Sequence, residues 1–313
     1  MFEVRILGTN SAIPAFGRYP TAQLLTHFGH SFLIDCGEGT QMQTVRYRVG
    51  LRNLTAICIS HLHGDHVLGL PGLITSLSMG SRTQPLTLIG PIGLEAYVQF
   101  VLASTHSSVH YALRFHELEP TPTPQLAYET DRLEIYTLPL LHRIPTLGYL
   151  FREKPKPPKF LFFEAKKHDV PKPYMQLLKQ GNPVSLEDGR IIQPEQVHAA
   201  PDPAYSYAFC SDTAYLPELV PHIQGVDVLY HEATFLREQA TRAQDTLHST
   251  AEQAAQIAQA AQVGCLYLGH YSARYRDLEP FLAEARPIFA HTYLAQEGLT
   301  IPIPAAHTGF AHE

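Results

Sequence analysis

His61-Leu62-His63-Gly64-Asp65-His66 follows directly on an apolar run, Leu54-Thr55-Ala56-Ile57-Cys58-Ile59-Ser60. The run reads as a buried strand, so the six residues after it belong to the loop at the strand's end. Three imidazoles and a carboxylate within six positions are poor packing material. Imidazole is a borderline-soft donor and carboxylate a hard one, a mixture that suits zinc or a similar divalent ion. Four donors on one turn cannot easily all surround one ion. The spacing therefore favours two ions, His61 and His63 facing one, Asp65 and His66 the other. Gly64 is expected to let the backbone turn tightly between the two pairs.

Three more donors stand at the ends of strand-like runs. His142 follows Leu138-Pro139-Leu140-Leu141, Asp212 follows Tyr207-Ala208-Phe209-Cys210-Ser211, and His270 follows Leu266-Tyr267-Leu268-Gly269. Strand ends on one sheet edge are where α/β folds gather functional groups. The simplest assembly gives His61, His63 and His142 to one ion and Asp65, His66 and His270 to the other. Asp212 bridges them with its two oxygens, which leaves room for a shared water. Other histidines lack such company. His106, His110 and His116 read as a helix end and a strand outside the site, His27 and His30 flank a hairpin turn, and His307 and His312 belong to the tail.

Strand-like runs at 2–8, 23–28, 31–35, 86–89, 112–118, 132–138 and 147–151 are interleaved with helical ones at 40–48, 68–80 and 94–103. This alternation predicts an α/β domain with two packed sheets covered by helices. Between 152 and about 194 the texture changes to lysine, proline and a short aromatic cluster, 160–163. That stretch is expected to be an arm inserted into a single domain spanning 1–313, too short for a core of its own. The chain carries a net charge of −6, yet residues 152–180 hold eight basic and three acidic side chains. A basic island in an acidic chain points to contact with something anionic, through Lys154, Lys156, Lys159, Lys166, Lys167 and Lys172.

At 313 residues and 45% hydrophobic, the chain has ample material for one large core. The N-terminus reads as a strand rather than a signal peptide, and no apolar run approaches the roughly 18 residues of a membrane span. Cys36, Cys58, Cys210 and Cys265 lie in or beside apolar runs without a CxxC pair. They read as buried free thiols, which predicts a reducing, cytoplasmic setting.

The HLHGDH stretch with its later His, Asp and His resembles the metallo-β-lactamase superfamily. The narrower resemblance is to the ribonuclease Z family. It rests on Leu7-Gly8-Thr9 with Ser11 and Pro14, Asp35-Cys36-Gly37-Glu38-Gly39-Thr40-Gln41, and Gly69-Leu70-Pro71-Gly72-Leu73. Further segments are His142-Arg143-Ile144-Pro145 with Gly148-Tyr149, Ser211-Asp212-Thr213, His231-Glu232-Ala233-Thr234-Phe235, His248-Ser249-Thr250-Ala251, and His270-Tyr271-Ser272 with Arg274-Tyr275. The resemblance implies an αββα sandwich with its metals at one sheet edge and an endonuclease that removes the 3′ trailer from precursor tRNA. It also implies an exosite arm gripping the tRNA body, and a homodimer with no other protein partner. Two sequence features depart from the pattern: the arm tip reads Val170-Pro171-Lys172-Pro173-Tyr174-Met175-Gln176 without the usual glycines, and Ser211 replaces a more common glycine.

The chemistry this implies uses two divalent ions, most simply Zn²⁺, to generate hydroxide near neutral pH and to clamp the scissile phosphate. The departing ribose 3′-oxygen needs a proton. His248 is the candidate acid and Glu232 its orienting partner, while Asp65 is a candidate acceptor for the proton of the attacking water. Ser249-Thr250-Ala251-Glu252 has the form of a capping box, which predicts His248 just before a helix running to Gln262. Arg274 and the loop bearing Thr9 and Ser11 are candidate phosphate contacts. Two alternatives remain open on sequence: a binuclear phosphodiesterase acting on small molecules, and a non-catalytic RNA-binding scaffold that has kept the fold.

Overall fold

The computed structural model describes residues 2–305, so His307 and His312 lie outside the described residues. The chain divides into two compact units, one formed by Met1–Arg152 with Tyr205–Glu313 and the other by Glu153–Ala204. In the first unit, β1 (Phe2–Gly8), β2 (Ala22–His27), β3 (His30–Ile34), β4 (Leu54–Cys58), β5 (Leu86–Pro91) and β6 (Leu113–Leu118) build most of one sheet. The other sheet uses β7 (Leu126–Glu129), β8 (Leu133–Pro139) and β9 (Leu147–Glu153). The second unit contributes only short pairs, β10 (Lys159–Phe160) with β13 (His198–Ala199) and β11 (Val184–Ser185) with β12 (Ile191–Ile192). The chain then returns through β14 (Ser206–Cys210), β15 (Val228–Glu232), β16 (Cys265–Gly269) and β17 (Thr292–Leu294), and ends at β18 (Thr300–Pro302).

Among the described residues each main sheet has seven strands, ordered β18-β1-β2-β3-β4-β5-β6 and β17-β16-β15-β14-β9-β8-β7. Strands β3 to β6 run parallel, as do β14 to β17, while β1, β2 and β9 join antiparallel to their neighbours. Parallel strands are buried on both faces, which is why they read as unbroken apolar runs rather than as alternation. The faces still divide by parity. Phe32, Tyr207, Phe209, Val228 and Tyr230 point between the sheets into one core with Val4, Tyr149 and Phe151. Their neighbours Ala208, Cys210, Leu229 and Leu266 pack outward under the helix Ala251–Ala260. Leu33, Ile57 and Leu88 do the same under Leu70–Met79 and Leu94–Ser104. The order of layers is αββα.

The insertion differs from its sequence reading in three respects. It runs to Ala204 rather than about 194, and it encloses a small core of its own, including Ala165, Val170, Met175, Leu178 and Ile192. Short helices at Phe162–Lys167 and Lys172–Lys179 supply one side and the 184–192 hairpin the other, so even this length closes around apolar side chains. It is also not a basic island. Extending the window to the folded boundary adds Glu187, Asp188, Glu195 and Asp202 against Arg190 alone, giving eight basic and seven acidic residues over 153–204. Lys156 pairs with Glu153 at 2.9 Å, Lys159 with Asp202 at 2.7 Å and Lys167 with Glu164 at 2.6 Å.

Candidate active site

The donors sit at or just past the ends of strands in both sheets. Residues 61–66 follow β4, His142 follows β8, Asp212 follows β14, Glu232 ends β15 and His270 follows β16. Register places these ends side by side, with Cys210 opposite His231 and Glu232 opposite Gly269. His270 has φ 58°, and a Cβ on Gly269 would lie 2.1 Å from the Tyr230 hydroxyl, so the turn that aims the imidazole needs glycine before it. Gly64 does not have the role expected of it. It starts the one-turn helix Gly64–Val67 without a positive φ, and Asp65 and His66 gain their direction from that helical turn.

Four imidazoles converge on Asp212. Its Oδ1 lies 3.1 Å from His270 Nε2 and 3.3 Å from His66 Nε2, and its Oδ2 lies 3.6 Å from His61 Nε2 and 3.7 Å from His142 Nε2. His63 Nδ1 is 3.0 Å from His61 Nε2 and 3.4 Å from His142 Nε2. Asp65 Oδ2 is 3.4 Å from His270 Nε2 and 3.5 Å from His66 Nε2. Three overlapping groups result, His61/His63/His142/Asp212, Asp65/His66/His270 and Asp212/His248/His270, with donor atoms in each within 4.8 Å of one another. The Nε2 atoms of His66 and His270 are buried with no hydrogen-bond geometry to any neighbour. A buried lone pair without a partner is costly unless a cation takes it, so the residues fit a metal. Burial lowers the pKa of His61, His63 and His142, favouring the neutral, ligating imidazole.

The other ring nitrogen of these ligands is held from behind. His142 Nδ1 donates to Leu247 O at 2.9 Å, His270 Nδ1 lies 3.0 Å from Thr234 Oγ1, and His66 Nδ1 lies 2.8 Å from Asp35 Oδ2. Asp35 is wholly buried, sits at φ 58°, and also accepts from Ser60 N and Ser60 Oγ. It forms a carboxylate–histidine pair of the kind that fixes a ligand's orientation and basicity. In sequence it is part of the 35–41 motif with no role attached, because a lone Asp distant from the donors carries no spacing signal. Asp35→Asn tolerates the left-handed backbone but turns an amide N–H₂ toward either Ser60 N–H or the His66 ring N–H. We expect metal affinity to fall about 10- to 100-fold, read by chelator competition.

His248 Nδ1 lies 2.8 Å from Glu232 Oε1, and Glu232 also accepts from Thr213 N, Thr234 N and Thr234 Oγ1. Burial depresses the His248 pKa, but the carboxylates of Glu232 and then of Asp212 and Asp65 together raise it to about 9. Its ring stacks 5.7 Å from His270 and lies 5.0 Å from His142. The helix after it begins one residue later than the sequence suggested. Thr250, not Ser249, is the N-cap, in a capping box with Gln253, because the Ser249 hydroxyl donates instead to Thr213 O. That helix ends at Ala260.

The cleft over these groups is about 500 Å³ and includes Ser11, Arg143, Phe235, Arg242 and Arg274 in its walls. Arg274 lies over the Phe235 ring at 5.9 Å. Thr9 is a correction. It is 1% exposed, its backbone N–H donates to Tyr19 O and its carbonyl accepts from Tyr271 N, and it lines a separate cleft with Arg18. The loop instead reaches the ligands through Ala12, whose N–H donates to Asp65 Oδ2 at 2.6 Å. Lys154, Lys156, Lys159, Lys166, Lys167 and Lys172 all belong to the Glu153–Ala204 unit. From sequence, Arg143 stands only within the 142–145 segment, without a role, and Arg242 lies in no motif.

The layered fold with a His/Asp cluster at the strand ends defines a metallo-β-lactamase-fold hydrolase with a divalent-metal site. Comparison with known proteins narrows this. A family model described as "Beta-lactamase superfamily domain" matches residues 195–271, and one described as "Anti-Pycsar protein Apyc1" matches 2–142. Ribonuclease Z of Parabacteroides distasonis is 43% identical over 302 residues, spanning 96% of this chain and 99% of that one. Ribonuclease Z of Cytophaga hutchinsonii is 43% identical, covering 95% of each chain. The crystal structure of the short form of human tRNase Z is 25% identical with a TM-score of 0.70, over 96% of this chain and 99% of that one. The chain belongs to the ribonuclease Z family.

Proposed function

We propose that this chain is the endoribonuclease that removes 3′ trailers from tRNA precursors, leaving a 3′-hydroxyl on the tRNA. The observation that carries the proposal is identity of about two residues in five with ribonucleases Z along nearly the whole chain. It is supported by seven donors and a His–Glu pair gathered from strand ends of the two sheets. His61, His63 and His142 would hold one ion, Asp65, His66 and His270 a second, with Asp212 shared; Zn²⁺ suits the mixed nitrogen and oxygen set. When bound, such ions supply Lewis acidity, lowering the pKa of water and offsetting phosphate charge. The protein's own part is to hold Asp65 where it can accept the water's proton, and to deliver the His248 proton to the departing ribose 3′-oxygen. Glu232 keeps that imidazole charged and aimed.

The insertion is the exosite for the tRNA body in this reading. Lys166 and Lys172 are exposed, but its near-neutral sum makes shape as relevant as charge. We also read the chain as a homodimer, supported by Met42, Val45 and Met79 left in solvent on helices Thr40–Arg46 and Leu70–Met79, which Gln41 and Ser76 join. The four cysteines are free and buried, which supports a cytoplasmic setting, and no helix among the described residues is long and apolar enough to cross a membrane. The test is cleavage of a 5′-labelled tRNA precursor with and without chelator. A single metal-dependent cut after the discriminator nucleotide is expected. Hydrolysis of a small phosphodiester with no cut in the precursor would favour the small-molecule reading instead.

A further inference from the structure

Several arginines of this chain are already engaged. Arg18 donates to Asn10 Oδ1 and the Tyr275 and Arg276 carbonyls, Arg82 to three carbonyls and Arg286 to Thr292 O, while Arg237 pairs with Glu252. Arg143 and Arg242 are different. Both are exposed, both line the cleft over the donor groups, and neither guanidinium has an ion pair or hydrogen bond among the described residues.

Their backbones are nonetheless firmly placed. Arg143 follows the ligand His142. The helix Ala240–Thr246 carries Arg242 one turn before its end, and the next residue, Leu247, accepts the His142 Nδ1 proton. Thr246, which lines the same cleft, donates its hydroxyl to Arg242 O at 2.7 Å. One hydrogen-bonded ligand thus anchors both arginines. The only carboxylates among the cleft's lining residues are Asp65 and Asp212, which belong to the donor groups. The walls therefore present Arg143, Arg242 and Arg274 with no acidic counterpart, in a chain whose net charge is −6.

We infer that Arg242 and Arg143 bind backbone phosphates of the RNA flanking the scissile one, so that this wall selects a polynucleotide over an isolated phosphodiester. The inference rests on the nuclease reading above and adds to it which residues make the choice. A guanidinium offers a planar fork that matches two phosphate oxygens, and unspent donors facing a cleft are free to make that bidentate contact. A small diester can reach the donor groups without touching either wall. A polynucleotide cannot, because its next phosphates lie one nucleotide away on each side.

The test compares wild type, Arg242→Ala, Arg143→Ala and Arg242→Lys as metal-loaded full-length protein. kcat/KM is measured on precursor tRNA and on bis(p-nitrophenyl) phosphate, and binding of precursor tRNA, with chelator present so that it is not cut, is followed against salt. Each alanine variant is expected to lose about 10-fold or more on the precursor beyond its loss on the diester. The slope of log affinity on log salt should shrink by about 0.7 to 0.9 per contact removed. Arg242→Lys should retain the salt slope and recover part of the rate. Equal losses on both substrates, or an unchanged salt slope, overturn the inference while leaving the nuclease intact. A wild type that hydrolyses the diester but never cuts the precursor overturns the nuclease reading and this inference together.

Discussion

Asp212→Ala is expected to lower precursor cleavage by about 10³-fold or more and to leave purified protein with well under its full metal content. Both effects come from position. Asp212 is 3% exposed and each carboxylate oxygen faces a different pair of imidazoles, Oδ1 toward His66 and His270 and Oδ2 toward His61 and His142. Among the described residues no other carboxylate is placed to serve both groups, since Asp65 pairs only with His66 and His270. In the proposed two-ion site its removal would take away a carboxylate oxygen from beside each pair of imidazoles and the negative charge set between them. Metal ions at such sites contribute several kcal/mol to the transition state, which corresponds to the loss given. Elemental analysis and kinetics on the same sample check it. A variant that keeps about two ions per chain and near wild-type rate would show that Asp212 is not the shared ligand. Asp212→Asn is a useful companion, because it preserves volume and one acceptor oxygen but removes the charge. It should retain more metal than the alanine variant and remain strongly impaired.

The ease with which these donors are found from sequence has a physical cause. Parallel strands must be apolar along their length, so a polar residue at the end of such a run stands out, and the sheet delivers every such end to one edge. Asp212 and His270 are legible for that reason, His142 because it closes a short apolar run after β8, a strand antiparallel to β7, and residues 61–66 because the donors are consecutive. Contacts made across the fold leave no comparable trace. Asp35 reaches His66 from 31 positions away, and Leu247 serves His142 through its carbonyl, which no side-chain pattern records. Ser249 looked like a cap because the motif counts spacing alone; its hydroxyl is drawn off by Thr213 O, which lies 36 residues distant. The charge of the insertion misled through its boundary. Most of the lysines come early and four of the seven acidic residues come after 180, so a window closed at 180 separates Lys159 from Asp202, its partner at 2.7 Å.

His248→Ala is expected to cost about 10² to 10⁴ in kcat on precursor tRNA, the range of a lost general acid, with metal content unchanged. The assignment makes a sharper demand. A ribose 3′-oxygen is a poor leaving group and needs its proton in the transition state, whereas p-nitrophenolate leaves unaided. The loss on bis(p-nitrophenyl) phosphate should therefore be far smaller than on RNA; equal losses would instead indicate a role in holding the phosphate or the fold. The pH profile gives a second check. His248 is held charged chiefly by Glu232, against the effect of burial, and only the charged form can donate. Activity that needs this proton is present below the His248 pKa and is lost as pH rises through it. Weakening the Glu232 charge lowers that pKa, so Glu232→Gln should move the alkaline limb to lower pH as well as reduce its height. The amide brings its own penalty. Both Glu232 oxygens accept from donors, Thr213 N and the imidazole on one side, Thr234 N and Oγ1 on the other, so the new N–H₂ must face a donor whichever way it turns. A buried mismatch of that kind costs about 1 to 3 kcal/mol, which a lower Tm would reveal. The position of the limb, unlike its height, is independent of how much protein is folded. A limb that stays in place in Glu232→Gln would remove Glu232 from its role as the partner that keeps His248 charged.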